Sequence, residues 1–134
     1  MRKRIPKILV TGAAGFIGSS FVRLLRLAAG KHPGTASKVV VVDSLTYAGD
    51  LKRLKAIEGS FKFYNTDICS KNGVGSIFAK ERPDIVVHFA AESHVDRSIG
   101  DASPFIDTNI KGTQILLDTA RKFKVSKFIH VSCY

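Results

Sequence analysis

Three glycines within Thr11-Gly12-Ala13-Ala14-Gly15-Phe16-Ile17-Gly18, and one acid, Asp43, carry the clearest chemistry in this sequence. Small residues at that spacing let a chain turn sharply and bring its backbone against a bulky anion. They also open a helix whose first amides have no internal partner. On this reading Gly12 makes the turn, Gly15 admits a diphosphate and Gly18 lets the helix pack closely on a sheet. No cationic side chain is required, because the helix N-terminus supplies partial positive charge. Asp43 directly follows Val39-Val40-Val41-Val42. A carboxylate there accepts hydrogen bonds from both hydroxyls of an adenosine ribose and repels a 2′-phosphate. Together the two features predict a dinucleotide site that takes NAD in preference to NADP. The plainer alternatives are a turn that merely needs glycine and an acid that only caps the following turn.

The elements that must position these residues alternate between short β-branched runs and longer helical stretches, the pattern of βαβ units. Strands are expected at 7–11, 38–42, 61–64, 84–89 and 127–131. A helix from Gly15 to about Ala29 would bury Ile17, Phe21, Leu24, Leu25 and Ala28. A short helix carrying Val74, Ile77 and Phe78 is closed by Pro83. Pro104 suits a helix first turn, and Ile106, Ile110, Thr113, Leu117 and Ala120 would line one side of that last helix. Asp118, Arg121 and Lys122 fall on its solvent side. The fold class is therefore α/β: a Rossmann-type, doubly wound parallel sheet of about five strands, cut off after the fifth. One domain, residues 1–134, accounts for the whole length, with no internal repeat or linker.

Composition sets the outer limits. Hydrophobic residues make up 45% and charged residues 24% of the 134, ordinary values for a globular protein. No apolar run approaches the roughly 20 residues that span a bilayer, and the basic start lacks a secretory cleavage site. A cytoplasmic protein is expected, and its two cysteines, Cys69 and Cys133, fit reduced thiols better than a disulfide. No metal-ligand spacing is present. The formal net charge is +10, which raises nucleic acid as a partner of a different class. Arg23, Arg26, Lys52, Arg53, Lys55, Arg121, Lys122 and Lys124 are scattered over separate predicted helices without interleaved aromatics. They read as solvated helix faces, which makes nucleic-acid binding the remote alternative.

Three further segments give the sequence a resemblance. Asp43-Ser44-Leu45-Thr46-Tyr47-Ala48-Gly49 is similar to a D-x-L-T-Y-A-G loop, and Asp67-Ile68 to an acid-apolar pair beside adenine. His88-Phe89-Ala90-Ala91-Glu92-Ser93-His94-Val95-Asp96-Arg97-Ser98 is similar to an H-x-A-A-E-S-H-V-D-R-S stretch, and Thr108-Asn109 and Gly112-Thr113 also fit. With the TGxxGxxG turn, these resemble the extended short-chain dehydrogenase/reductases, in the NAD-dependent epimerase/dehydratase family. Within it they look most like the nucleotide-sugar 4,6-dehydratases, lyases that take dTDP-glucose to its 4-keto-6-deoxy form. The resemblance implies NAD as cofactor, a nucleotide-sugar substrate and a homodimer. It implies that Gly12, Gly15, Phe16, Ile17 and Gly18 cover the pyrophosphate, and that Asp43, Ser44, Leu45 and Thr46 hold the adenosine ribose. Asp67 and Ile68 would flank the adenine. Phe89, Ala90, Ala91, Glu92 and Ser93 would run along the nicotinamide, and Thr108 would complete the pocket. Ser93 and Cys133 would meet the sugar substrate. His94, Asp96 and Arg97 read equally as residues that fix their loop, and His88 as a packed core histidine.

The family's proton-transfer groups do not appear. Its elimination of water uses an Asp, a Glu and a Tyr-x-x-x-Lys pair, because the phenol needs a nearby cation and the elimination needs an acid and a base. Val131-Ser132 match the start of the family's S-T-D-E-V-Y-G segment, but Cys133 stands where the Thr belongs and Tyr134 where the Asp belongs. No Lys lies four residues beyond any Tyr. The expectation is a chain incomplete relative to the family, with no catalytic residues of its own and inactive alone. The alternative is a non-catalytic NAD-binding module that senses cofactor or completes its site with a partner.

Overall fold

The computed structural model describes residues 5–31, 37–45, 50–89 and 107–131. Five strands form one parallel sheet: β1 (Lys7–Thr11), β2 (Lys38–Asp43), β3 (Lys62–Asn65), β4 (Ile85–His88) and β5 (Lys127–His130). Their order is β3-β2-β1-β4-β5, and every pairing is parallel. The chain winds outward from β1 to β3, then crosses to β4 on the other side of β1. That reversal places a topological switch point between β1 and β4.

Alternation along the strands sends side chains to two separate cores. Leu9, Val40, Val42 and Val86 pack on one face against α2 (Lys71–Glu81) and α3 (Thr113–Lys122), through Val74, Ile77, Phe78, Leu116 and Ala120. Ile8, Val10, Val39, Val41 and Val87 pack on the other against Val22 of α1 (Phe16–Lys31) and against Leu54 and Ile57. The last two lie on a 3-10 helix, Leu51–Ile57, which also carries Lys52, Arg53 and Lys55. Asp50 caps it by accepting from the Lys52 amide, as short polar side chains do at helix starts. Ser70 caps α2 in the same way, accepting from Gly73 N. Among the described residues β5 pairs only with β4, and its Ile129 is 43% exposed.

Two predicted faces need correction. On α1, Val22 is fully buried while Ile17 and Leu24 are exposed; Phe21 and Leu25 are half-buried. The close approach of Gly18 to Gly12 sets the rotation of α1, so the residue four further on, Val22, faces the sheet. On α3, Leu116, Thr119 and Ala120 are buried, whereas Ile110 and Leu117 are exposed. A bond from Thr113 to His88 turns that helix, bringing Thr113, Leu116 and Ala120 onto the inner face. The predicted helix start at Pro104, and Ile106, lie outside the described residues. The segment Asp107–Gly112 leads into α3 as a π-helical turn. Strand bounds otherwise agree to within one residue, as at β2, which extends to Asp43.

Candidate functional site

The glycine bend joins the carboxyl end of β1 to α1, beside the switch point. Gly12 has φ 69°, a left-handed conformation that suits glycine. Its amide donates to Val42 O, and its carbonyl accepts from Gly15 N, closing a tight turn. A Cβ added at Gly18 would lie 2.2 Å from Gly12 O, and one at Gly15 3.2 Å from the same atom. Gly18 therefore has no room for any side chain. The first amides of α1, at Phe16, Ile17 and Gly18, have no acceptor within the helix. No acid occupies the first turn, and the Phe16 and Ile17 side chains project outward, 79% and 53% exposed.

Asp43 reaches this bend from the end of β2. Its Oδ2 accepts from Ala14 N at 2.9 Å and its Oδ1 from Leu45 N at 2.7 Å, with the residue only 8% exposed. The second bond holds Leu45 at φ 54°, a conformation non-glycine residues seldom adopt. Each carboxylate oxygen keeps a further lone pair. Ala14 is held on its other side as well: its carbonyl accepts from Asp50 N and from the Arg53 guanidinium, both at 2.9 Å. Arg23 Nη1 in turn donates to Arg53 O at 2.7 Å. The solvated roles expected for Arg23, Arg26 and Arg53 are thereby corrected, since Arg26 also donates to Ser37 O and Oγ. These guanidiniums donate to backbone carbonyls, one of which, Ala14 O, also accepts from Asp50 N.

The remaining predicted residues divide. Ser44 and Leu45 follow Asp43 at the same edge, Ser44 exposed and Leu45 half-buried. Asp67 is exposed after β3, its Oδ1 accepting from Cys69 N, while Ile68 is buried in the core with Leu9 and Val74. Thr66 N donates to Asp43 O, which keeps this turn beside the acid. Phe89 N donates to Thr11 O at the switch point, and its ring packs on Phe21, centroids 5.3 Å apart. Thr46, Ala90, Ala91, Glu92, Ser93 and Cys133 lie outside the described residues, as do His94, Asp96 and Arg97. Thr108 falls on the π-helical turn.

One cluster at this edge has almost no signature in the sequence. His88, buried as expected, bridges Thr11 Oγ1 at 2.6 Å through Nδ1 and Thr113 Oγ1 at 2.9 Å through Nε2. Its ring also stacks on His130, 4.8 Å away. Burial, helped by the neighbouring His130, pulls its pKa down to about 4, so the ring is neutral at pH 7, donating through one nitrogen and accepting through the other. The bridge ties the last residue of β1, just before Gly12, to β4 and α3. Its only sequence signal is a histidine inside an apolar strand.

A doubly wound parallel sheet, with a glycine bend at its switch point and an acid from the next strand bonded to that bend, defines a Rossmann-type fold. The model of the NAD dependent epimerase/dehydratase family matches residues 8–134, and this chain belongs to that family. The chain is 51% identical over 119 residues to a dTDP-glucose 4,6-dehydratase of Escherichia coli, covering 87% of this chain and 31% of that protein. It is 47% identical over 130 residues to the Streptomyces niveus dTDP-glucose 4,6-dehydratase, covering 94% and 37%. Among solved structures, DesIV, the dTDP-glucose 4,6-dehydratase of Streptomyces venezuelae with NAD and TYD bound, superposes with TM-score 0.82 at 45% identity. That match covers 92% of this chain and 38% of that one. A UDP-glucose 4-epimerase of Thermotoga maritima with UDP-glucose gives TM-score 0.81 at 35% identity, covering 92% and 37%. The chain thus spans about a third of the length of the curated relatives it matches. No helix among the described residues is long and apolar enough to cross a membrane.

Proposed function

We propose that residues 1–134 form the NAD-binding domain of a nucleotide-sugar 4,6-dehydratase acting on dTDP-glucose. The observation that carries the reading is the Asp43 carboxylate. It grips the Ala14 amide of the glycine bend, so the ribose-binding and diphosphate-binding groups are one preassembled unit. The dTDP-glucose substrate is supported by relatives about 50% identical, two of them the E. coli and S. niveus enzymes. The cofactor is supported by neighbours whose structures contain NAD.

The residues present fit that cofactor. The amides of Phe16, Ile17 and Gly18, without acceptors inside the helix, would donate to the diphosphate. The spare lone pairs of Asp43 would accept from the ribose hydroxyls, and a 2′-phosphate would meet its charge instead. Ser44 and Leu45 would continue that wall, and the resemblance adds Thr46 to it. Asp67, with the Ile68 backbone beside it, would border the adenine. Phe89 to Ser93 would border the nicotinamide, Thr108 would complete the cofactor pocket, and Ser93 and Cys133 would meet the sugar. When bound, NAD supplies a hydride acceptor that later returns the hydride. The neutral His88 bridge ties the end of β1, just before the glycine bend, to β4 and α3. No Tyr in this sequence is followed by a Lys four residues on, so the chain by itself is expected to bind cofactor without turning over dTDP-glucose. A reducing, cytoplasmic setting suits two thiols without disulfide spacing, and the homodimer implied by resemblance belongs to the same reading.

Titrating NAD and NADP against the purified chain by calorimetry tests it. NAD is expected to bind at least tenfold more tightly, and Asp43→Ala to abolish the difference. Equal affinities in the unsubstituted chain would remove the role given to Asp43.

A further inference from the structure

Basic residues that are scattered along the sequence converge in the fold. In a parallel α/β sheet every strand starts, and every intervening helix ends, at the same edge, opposite the glycine bend. Four of the five strands begin with lysine: Lys7, Lys38, Lys62 and Lys127. Lys38 lies directly beside Lys7 in the register. At the same edge α2 is capped by Arg82, and α3 ends at Lys122 and is capped by Phe123, followed by Lys124. The Arg82 guanidinium lies 5.0 Å from the centroid of the Phe123 ring and Lys122 Nζ 5.6 Å from it, which joins the two helix ends into one cationic surface.

The acids at this rim offset it only in part, exposed Glu58 at the end of the 3-10 helix among them. Glu81 is 5% exposed and already neutralised by Lys7 at 3.2 Å and Lys62 at 2.9 Å. Asp84 accepts from the Lys7 amide. The C-termini of α2 and α3 each add roughly half a negative charge, less than the cations beside them. Lys38, Arg82, Lys122, Lys124 and Lys127 are all exposed. Strands about 4.8 Å apart spread these charges, from β2 to β5, over a front of about 14 Å, the scale of two or three nucleotides.

We infer that this lysine-rich rim binds the phosphate backbone of a nucleic acid, without reading bases, on the edge opposite the cofactor site. The choice of partner follows from the chemistry of the rim. Phe123 is half-buried and covered by its cations, leaving no stacking platform for bases. Of the large exposed apolar side chains among the described residues, Ile5 precedes a strand at this edge and Leu27 lies near the end of α1, two separate side chains and too little to insert in a membrane. What remains is the attraction of lysine and arginine for phosphate, which is sequence-independent and weakens with salt.

The test is fluorescence anisotropy of a labelled, mixed-sequence 20-nucleotide RNA with the full chain, from 20 to 200 mM salt. A micromolar Kd near 50 mM salt is expected, with affinity falling steeply as salt rises. Substituting Lys38, Lys122, Lys124 and Lys127 together by Gln should weaken binding at least tenfold. It should also flatten the log–log salt slope by about 0.7 for each phosphate that is no longer neutralised. Lys52→Gln with Lys71→Gln, exposed positions near the opposite edge, should change nothing. Saturating NAD should leave RNA binding intact, which separates this site from the proposed cofactor site whether or not NAD binds. Absent or salt-independent binding, equal loss in the Lys52 and Lys71 control, displacement of RNA by NAD, or tighter binding to vesicles containing phosphatidylserine would each overturn the inference.

Discussion

Alanine at two glycines should have opposite effects, and the structure fixes both signs. At Gly18 a new Cβ falls 2.2 Å from Gly12 O and 2.9 Å from Gly12 C. Comfortable carbon–oxygen contact needs about 1 Å more, and neither neighbour is a flexible side chain that could swing aside. Either α1 withdraws from the sheet or the bend opens. Overpacking of this kind costs about 1–3 kcal/mol, and the same shift pulls the Phe16 and Ile17 amides off any bound diphosphate. Losing one or two charged hydrogen bonds there, at about 1.5–3 kcal/mol each, raises the Kd for NAD by tenfold or more. At Gly75, within α2, an added Cβ meets nothing within 4 Å. Alanine there gains up to about 1 kcal/mol of helix propensity. Urea unfolding of the two variants, with NAD titration of each, is the assay. Gly18→Ala should lower the midpoint and Gly75→Ala should raise it without altering NAD affinity. A Gly18→Ala protein with unchanged midpoint and affinity would refute the packing argument.

Acid should destabilise the fold in two windows. His88 is held near pKa 4 by burial and by His130, below the usual value of about 6.5. The unfolded chain therefore binds the extra proton between those values. Stability present at pH 7 is lost as pH falls from about 6.5 to 4, by about 3 kcal/mol, and His88→Gln should remove that slope in urea titrations at pH 7 and 4.5. Burial alone would raise the pKa of Glu81, but hydrogen bonds from Tyr64, Lys62 and Lys7 outweigh it and hold the carboxyl near 2. Its stabilisation is present above about pH 4.5 and disappears as pH falls towards 2. Glu81→Gln should weaken the protein at pH 7 by roughly 1–3 kcal/mol and flatten this lower window, as circular dichroism during acid titration would show. Incubating the chain with dTDP-glucose and NAD should yield no 4-keto-6-deoxy sugar by mass spectrometry; its appearance would place proton-transfer groups within these residues.

The parts of the fold written in local pattern are legible. Val39 to Val42 reads as a strand buried on both faces, and is one. The glycine spacing identifies the bend, because positive φ at Gly12 and the absence of space at Gly18 are properties of single positions. Helix rotation is not legible. Ile17 and Leu24 share a plausible apolar stripe, yet the Gly12–Gly18 contact turns them outward, and nothing in helical periodicity encodes that contact. Arg53 reads as a solvated charge because its acceptor, Ala14 O, is 39 residues away. The Thr11–His88 bond spans 77 residues, visible only once β1 and β4 are neighbours. The rim cations, of which Lys122 and Lys124 read as solvated helix faces, are dispersed along the chain, a dispersion that parallel topology reverses.

Diffusing NAD into crystals of this chain tests the central claim most directly. The account requires the diphosphate within hydrogen-bonding distance of the Phe16 and Ile17 amides, and the adenosine ribose hydroxyls on the Asp43 carboxylate while Asp43 still holds Ala14 N. A cofactor bound elsewhere on the sheet, or a ribose that turns away from Asp43, would contradict it.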